Sequence, residues 1–222
     1  MGRRGAVVAA AGIAGWLALA IPRLRNWGAT AEEQSMALPG DDLIPGARVS
    51  GTMAATIVAP PSAVWPWLVQ MGCDRAGFYS WDRLDNGGRP SARRIHPEWQ
   101  DLNEGDRVLA TPDGSHWFDV ALVEPERTLV LRAPLGVPGG RPFDPSGTRP
   151  RAFSDSTWSF HLRRTDGDAT RLLVRSCWSG RPRLLLDLGN RLFWDPAHLV
   201  MQARQFAELR RRATRPQRVS VA

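Results

Sequence analysis

Tyr79, His96 and Glu98 bring a phenol, an imidazole and a carboxylate into two neighbouring polar and aromatic segments. With Arg75 they have the types needed for proton abstraction at an activated carbon. Glu98 or His96 would act as base, and Tyr79 or Arg75 would donate to the developing enolate oxygen. A structural reading competes with this one. Asp74 and Arg75 pair with each other or with Asp82 to fix a loop, while Tyr79, Trp81 and Trp99 pack beneath it. Arg75, Phe78, Tyr79, Trp81, Trp99, Trp117 and Trp158 are the candidate lining of an apolar ligand site, although inward aromatic residues on strands are also ordinary core.

Other chemistry lacks its residues. No G-x-S-x-G or Cys–His signature supplies a nucleophile. The histidines, His96, His116, His161 and His198, are widely spaced, and Cys73 and Cys177 form no C-x-x-C pair, so neither a metal nor another cofactor is expected. The two cysteines read as buried thiols, or as a disulfide if the domain is exported.

The elements that must position these residues follow from local pattern. Val49 to Val58, rich in Val, Ile, Thr and Ala, predicts a first strand. Ser62 then predicts a helix cap, Pro66 a first-turn proline, and Val64, Trp65, Leu68 and Val69 one buried face. Gly72 breaks the helix. A second short helix from Ser80 to Asn86 ends at Gly87-Gly88, and Asn103 to Asp106 is a turn. Strands are predicted over 107–110, 117–123, 128–133, 156–164 and 171–179. In the fourth of these Trp158, Phe160 and Leu162 share one face and His161 the other. Turns at 124–126 and 165–168 join two pairs as hairpins. The Pro/Gly insert at 134–151 carries Gly139-Gly140-Arg141 but no phosphate-loop pattern. Asp195-Pro196 predicts the start of a long helix to about Ala213, with Leu199, Val200, Ala203, Phe206, Ala207 and Leu209 on its apolar face.

The chain begins differently. Gly5 to Ile21 holds seventeen residues without a charge, flanked by Arg3 and Arg4 before it and Arg23 and Arg25 after it. As a helix this run reaches about 25 Å, slightly less than a roughly 30 Å hydrocarbon core. Residues 1–25 are therefore expected to be a single-pass membrane anchor, with a cleaved signal sequence and a merely apolar terminus as alternatives. The flanking charges do not decide the side of the membrane. Residues 26–48 read as a linker, with a capping-box helix start at Thr30 and Glu33. The domain spans 49–213, and 214–222 is expected to be a disordered tail. The net charge is +7, but all 29 basic residues are arginine and they are scattered among 22 acids. That pattern reflects codon usage better than a phosphate-binding face, so no nucleic acid is expected.

These elements give an α+β order: one strand, two short helices, consecutive antiparallel strands, then a long C-terminal helix gripped by the curled sheet. The segments W-P-W-L-V-Q-M-G-C-D-R-A-G-F-Y-S-W-D, R-I-H-P-E-W-Q-D-L-N-E-G-D, S-T-W-S-F-H-L and D-P-A-H-L-V-M-Q-A-R resemble bacterial proteins of the SRPBCC superfamily. This superfamily is also called START-like or Bet v 1-like. The resemblance runs from Trp27 to Ala213 and points to a membrane-anchored subgroup. It implies the helix-grip fold, with a cavity between sheet and C-terminal helix for a lipid- or polyketide-like molecule. The superfamily also includes polyketide cyclases and aromatases. Three readings follow. A carrier should show an open apolar cavity, a cyclase two or more titratable side chains converging in it, and an interaction protein a filled core.

Overall fold

The structure, a computed structural model, describes residues 20–215. All six predicted strands form, as β1 (Arg48–Ile57), β2 (Arg107–Leu109), β3 (Trp117–Glu124), β4 (Thr128–Gly136), β5 (Phe153–Thr165) and β6 (Ala169–Arg181). They make one antiparallel sheet in the order β1-β6-β5-β4-β3-β2. The helices are α1 (Ile21–Arg25), α2 (Ala31–Ser35), α3 (Pro61–Val69), α4 (Asp82–Asp85), α5 (Arg183–Gly189) and α6 (Asp195–Ala213). A π-turn at Asn190–Trp194 joins α5 to α6. A curled six-stranded sheet holding a long C-terminal helix is the helix-grip α+β architecture.

One face of the sheet carries the main core. Strand alternation turns Met53, Ala55 and Ile57 of β1, Leu129 and Leu131 of β4, Phe160 and Leu162 of β5, and Leu172 and Val174 of β6 toward α3 and α6. There they meet Val64, Trp67, Leu68, Phe206 and Leu209, all fully buried. Trp158 faces inward with Phe160 and Leu162, as the alternation predicts.

The second face is covered as well, which corrects the expected linker. From Asn26 the chain runs along the free edge of β1, where Thr52 N donates to Asn26 Oδ1 (3.0 Å) and Ala54 N to Trp27 O (3.0 Å). It then folds over the outer face, where Leu38 packs on Ala54 and Leu173, and Ile44 is buried. Arg175, 1% exposed, is the centre of this layer. Its guanidinium donates to Thr52 Oγ1, to the Met36, Glu33 and Gln34 carbonyls, and to Asp41 Oδ2 at 2.6 Å. Arg171 grips both carboxylate oxygens of Glu33 and the Gly28 carbonyl. The Thr30–Glu33 capping box forms and starts α2.

The edge contact is close. Gly28 has φ +77°, and a Cβ there would lie 2.3 Å from the Ala54 carbonyl oxygen. Gly28→Ala should therefore peel this edge away and lower stability by at least about 2 kcal/mol in urea titrations.

Several local expectations are revised. Ser62 does not cap α3, because the helix begins two residues earlier, at Pro61 behind Pro60. Pro66 consequently falls inside the helix, and the side-chain amide of Gln100 donates to its carbonyl at 3.2 Å. The second short helix begins at Asp82 rather than Ser80, and Gly87 and Gly88 end it with positive φ. Asp195 is not a free cap. The backbone enters α6 already helical, and Asp195 pairs instead with Arg25 at 2.7 Å. On α6, Val200 and Ala207 are exposed, while Gln202, Gln205, Glu208 and Arg212 are buried alongside Phe206 and Leu209.

Both cysteines are free and buried. Cys73 donates to the Asp85 carbonyl and Cys177 faces Asp41, and burial pushes the thiols up to about 11 and about 12. They stay protonated and unreactive near neutral pH. Of the expected anchor, only Ala20 to Arg25 falls among the described residues, and Ile21 there is buried. The tail beyond Arg215 lies outside them. Among the described residues, no helix is long and apolar enough to cross a membrane, and no His, Cys, Asp and Glu side chains cluster in a way that could hold a metal.

Candidate functional site

The residues singled out for acid–base work occupy two different places. Tyr79 is buried in a left-handed conformation (φ +58°), an uncommon setting for a bulky residue. Three contacts hold it. Gln70 Nε2 donates to its hydroxyl at 2.9 Å, Trp67 meets its ring edge-on, and the Arg212 guanidinium lies 4.8 Å over the ring. Burial raises its pKa above the ordinary phenol value, so it stays protonated. Glu98 lies at the surface, and His96 is partly buried beside it. The His96 ring stacks on Trp99 with 4.1 Å between centroids and bonds Glu98 Oε1 at 3.0 Å. Hydrogen bonds from its own backbone and from His96 lower the pKa of the exposed Glu98 carboxylate.

Gln70 links the two places and was not singled out from sequence. It is fully buried at the end of α3. Its amide nitrogen reaches Tyr79 Oη and the Arg94 carbonyl, and its oxygen accepts from His96 N and from Gln100 Nε2. Every polar atom of the side chain is satisfied, so this is a latch between α3 and the 94–100 loop. The chemistry of a latch predicts its mutants. Gln70→Leu strands several buried groups and should cost about 3 kcal/mol, whereas Tyr79→Phe loses one hydrogen bond and should cost about 1 kcal/mol. Urea midpoints of the two variants check the order.

The other candidates divide in the same way. Phe78 is buried against Phe118 and Trp158. Arg75 reaches the Val69 carbonyl at 3.5 Å, and burial lowers its pKa. Asp82 accepts from both the amide and the hydroxyl of Ser91, so it fixes the loop through Ser91 rather than through the expected Arg75. Trp81 is exposed on the surface with Arg204 over its ring, and Trp117 sits beneath Arg107 at the sheet end. Of the expected ligand-lining set, only Phe78 and Trp158 meet between sheet and α6.

That region is packed. Phe78, Phe118, Trp158 and Phe160 form a ring cluster, joined by Met71, Phe206 and Leu209. Between the first turns of α6 and strands β1 and β6 lies a cavity of about 30 Å³, bordered by Met53, Val174, Ser176, Trp194, Asp195 and His198. This holds a water molecule or two, far below the roughly 300–1,000 Å³ of small-molecule pockets.

Three polar groups near this cavity give it chemical character. His198 faces Trp158 and Trp194, with ring centroids near 6 Å from each, and desolvation pushes its pKa down to about 4. One turn further, Gln202 Nε2 donates to Gln205 Oε1, and Gln205 in turn holds the Phe78 carbonyl. Gln202 Oε1 and the Trp158 indole N–H are buried without a protein partner. The site therefore offers a neutral imidazole, one unused acceptor and one unused donor in apolar surroundings. Asp195 beside it is committed to Arg25. The pattern can hold a polar end group, but it contains no nucleophile. Sequence reasoning missed His198 and Gln202 because both lie on a helix face taken to be apolar.

The sequence matches no protein family and no curated protein. Among solved structures it is similar to protein Ms6760 from Mycobacterium smegmatis, at 16% identity and TM-score 0.43, over 72% of this chain and 87% of that one. It is similar to CalU16 from Micromonospora echinospora at 18% identity and TM-score 0.37, over 77% of this chain and 88% of that one. A third is Ara h 8.0201, at 12% identity and TM-score 0.39, over 74% and 99% of the two chains. No ligand or reaction follows from likenesses at this level, and the helix-grip assignment stands on the strand order and the C-terminal helix.

Proposed function

We propose that the domain binds an apolar small molecule with one polar end between the sheet and the first turns of α6, and that the N-terminal apolar segment holds it at a membrane. The observation that carries the binding reading is the pair of buried, unpartnered groups, Trp158 Nε1 and Gln202 Oε1, set beside a neutral His198 in an aromatic interior. Buried polar atoms are nearly always satisfied, so a donor on β5 and an acceptor on the facing helix α6, both left over, call for water or a ligand. The fold resemblance seen in the sequence puts an apolar ligand in this same layer.

The present cavity is too small for such a molecule, so entry requires the start of α6 to swing outward. The π-turn at Asn190–Trp194 gives that segment a break in regular helix, and the Arg25–Asp195 pair is the clasp that must open. Catalysis of the cyclase type finds less support. Tyr79 is locked by Gln70, the partly buried His96 ring is held by Trp99 and Glu98, and Glu98 is exposed, so the proposed base and donor do not share a cavity.

A second reading is favoured by the size of the cavity: a domain whose aromatic core is simply filled and which acts through its surface. Titration of the full chain with a dansyl-labelled fatty acid separates the two. Saturable binding, weakened at least tenfold in both Trp158→Phe and Gln202→Leu, supports the ligand site. Absence of binding by the unaltered chain favours the filled core.

A further inference from the structure

The helix that leads into α6 has its polarity reversed. Along α5 and the π-turn, the sides turned toward the protein are Leu186, Asp187, Asn190 and Arg191, with Asp187 and Arg191 paired at 2.8 Å. Leu186 packs against Gly180 at the end of β6. The sides turned outward are apolar: Leu184 is 86% exposed, Leu185 69%, Phe193 75% and Trp194 59%, with Leu188 between them. A water-facing helix normally shows the opposite arrangement. Contiguous exposed apolar surface of this kind marks an interaction site.

Two features identify what covers it. Arg181 and Arg183 are exposed beside the apolar side chains, so the rim is cationic. Leu, Phe and Trp bordered by arginine is the composition of a helix lying in the headgroup and acyl boundary of an anionic bilayer. In addition, the described chain begins at Ala20, and α1 is tied to this same corner by the Arg25–Asp195 pair next to Trp194. Ile21, the last residue of the uncharged run, therefore begins a helix held on the side where the reversed helix is displayed.

We infer that α5 and the π-turn lie on an anionic lipid surface, forming a second membrane contact. This rests on the membrane attachment proposed above and is independent of the small-molecule site. It also gives that site an orientation, since the start of α6, which must swing outward for entry, would face the lipid from which an apolar molecule arrives.

The test uses the full chain reconstituted with vesicles of equal parts phosphatidylglycerol and phosphatidylcholine. Single cysteines replace Leu185, Phe193 or Val58 and carry a polarity-sensitive fluorophore; the native thiols are buried and stay unlabelled. Val58 is the control, because the β1–β6 register puts it at the opposite end of the sheet from Arg181. At 185 and 193, iodide quenching should fall severalfold on adding vesicles and quenching by headgroup-proximal doxyl lipid should appear, with neither change at 58. Flotation of the chain with 185 and 193 still open to iodide overturns the lipid contact alone. Failure to float overturns membrane attachment as well. Protection without vesicles that grows with protein concentration assigns the face to a second copy and overturns the inference, and concentration-independent protection assigns it to the chain's own N-terminal segment with the same result.

Discussion

Arg175→Ala is expected to lower stability by about 3–5 kcal/mol, the range for removing one partner of a buried ion pair. The magnitude follows from what is left behind. The guanidinium is 1% exposed and supplies Thr52 Oγ1, three backbone carbonyls of the 33–36 turn and the Asp41 carboxylate, all within a layer of few apolar contacts. Its loss leaves several acceptors without a donor and a void where the side chain stood. Arg175→Lys should recover only part of the loss, since one ammonium cannot reproduce the planar fork. Urea denaturation gives the size of the effect, and amide exchange locates it. Protection should collapse over 26–47 and along the outer face of β6 while the core around Phe160 and Leu209 persists. A uniform, small loss would mean that the N-terminal layer is not held from this point.

The second large effect is a change of stability with pH that has two opposed parts. His161 lies under the N-terminal layer, accepts or donates at Ser159 Oγ, and leaves Nδ1 buried without a partner. Desolvation pushes its pKa from 6.5 down to about 4. Between these values the unfolded chain binds a proton that the folded chain refuses, so stability falls as pH falls. The window of about 2.5 pH units corresponds to roughly 3 kcal/mol at 1.36 kcal/mol per unit. His198 acts in the same direction, its pKa likewise pushed down from 6.5 to about 4 by desolvation.

Asp85 acts against them. Burial pushes its carboxyl up from 3.8 to about 6, against a smaller lowering by the Ser80 hydroxyl. The folded chain therefore keeps a proton that the unfolded chain has released, and this group gains stability as pH falls from 6 toward 4. Asp85 therefore offsets only part of the loss that the two histidines cause, and the variants expose the parts. His161→Gln should be relatively more stable at pH 4 than at pH 7 by roughly 3 kcal/mol, and Asp85→Asn should show the reverse. Equal pH profiles for all three proteins would show that neither group is held neutral.

How far the sequence could be read depends on whether a signal is local. Strand alternation is local, and Trp158, Phe160 and Leu162 face the core as the pattern requires. The Thr30–Glu33 capping box is local too, and forms as spaced. Burial of polar residues on α6 is not local. Gln205 is inside because the Phe78 carbonyl lies opposite, and Arg212 because Glu208 and the Ala92 carbonyl receive it. No helical periodicity carries that information. The same holds for the outer sheet face, where Thr52, Ser159, His161, Arg171 and Arg175 read as solvent-facing. Their partners, Glu33 and Asp41, lie far away in a stretch rich in glycine, proline and acid that has the composition of a linker. Complementary charge across that distance was the available clue. The acid–base candidates failed for a related reason: Tyr79 and His96 are linked only through Gln70, which takes the Tyr79 hydroxyl and the His96 backbone amide, while the His96 ring is bonded to Glu98.

The binding site is the centre of this account, and its most direct test is native mass spectrometry of the full chain released from membranes, with organic extraction of whatever accompanies it. The account predicts one equivalent of an apolar compound with a single polar end, reduced in Gln202→Leu and Trp158→Phe. A clean apo mass in the unaltered chain, together with no uptake of apolar dye, would contradict it.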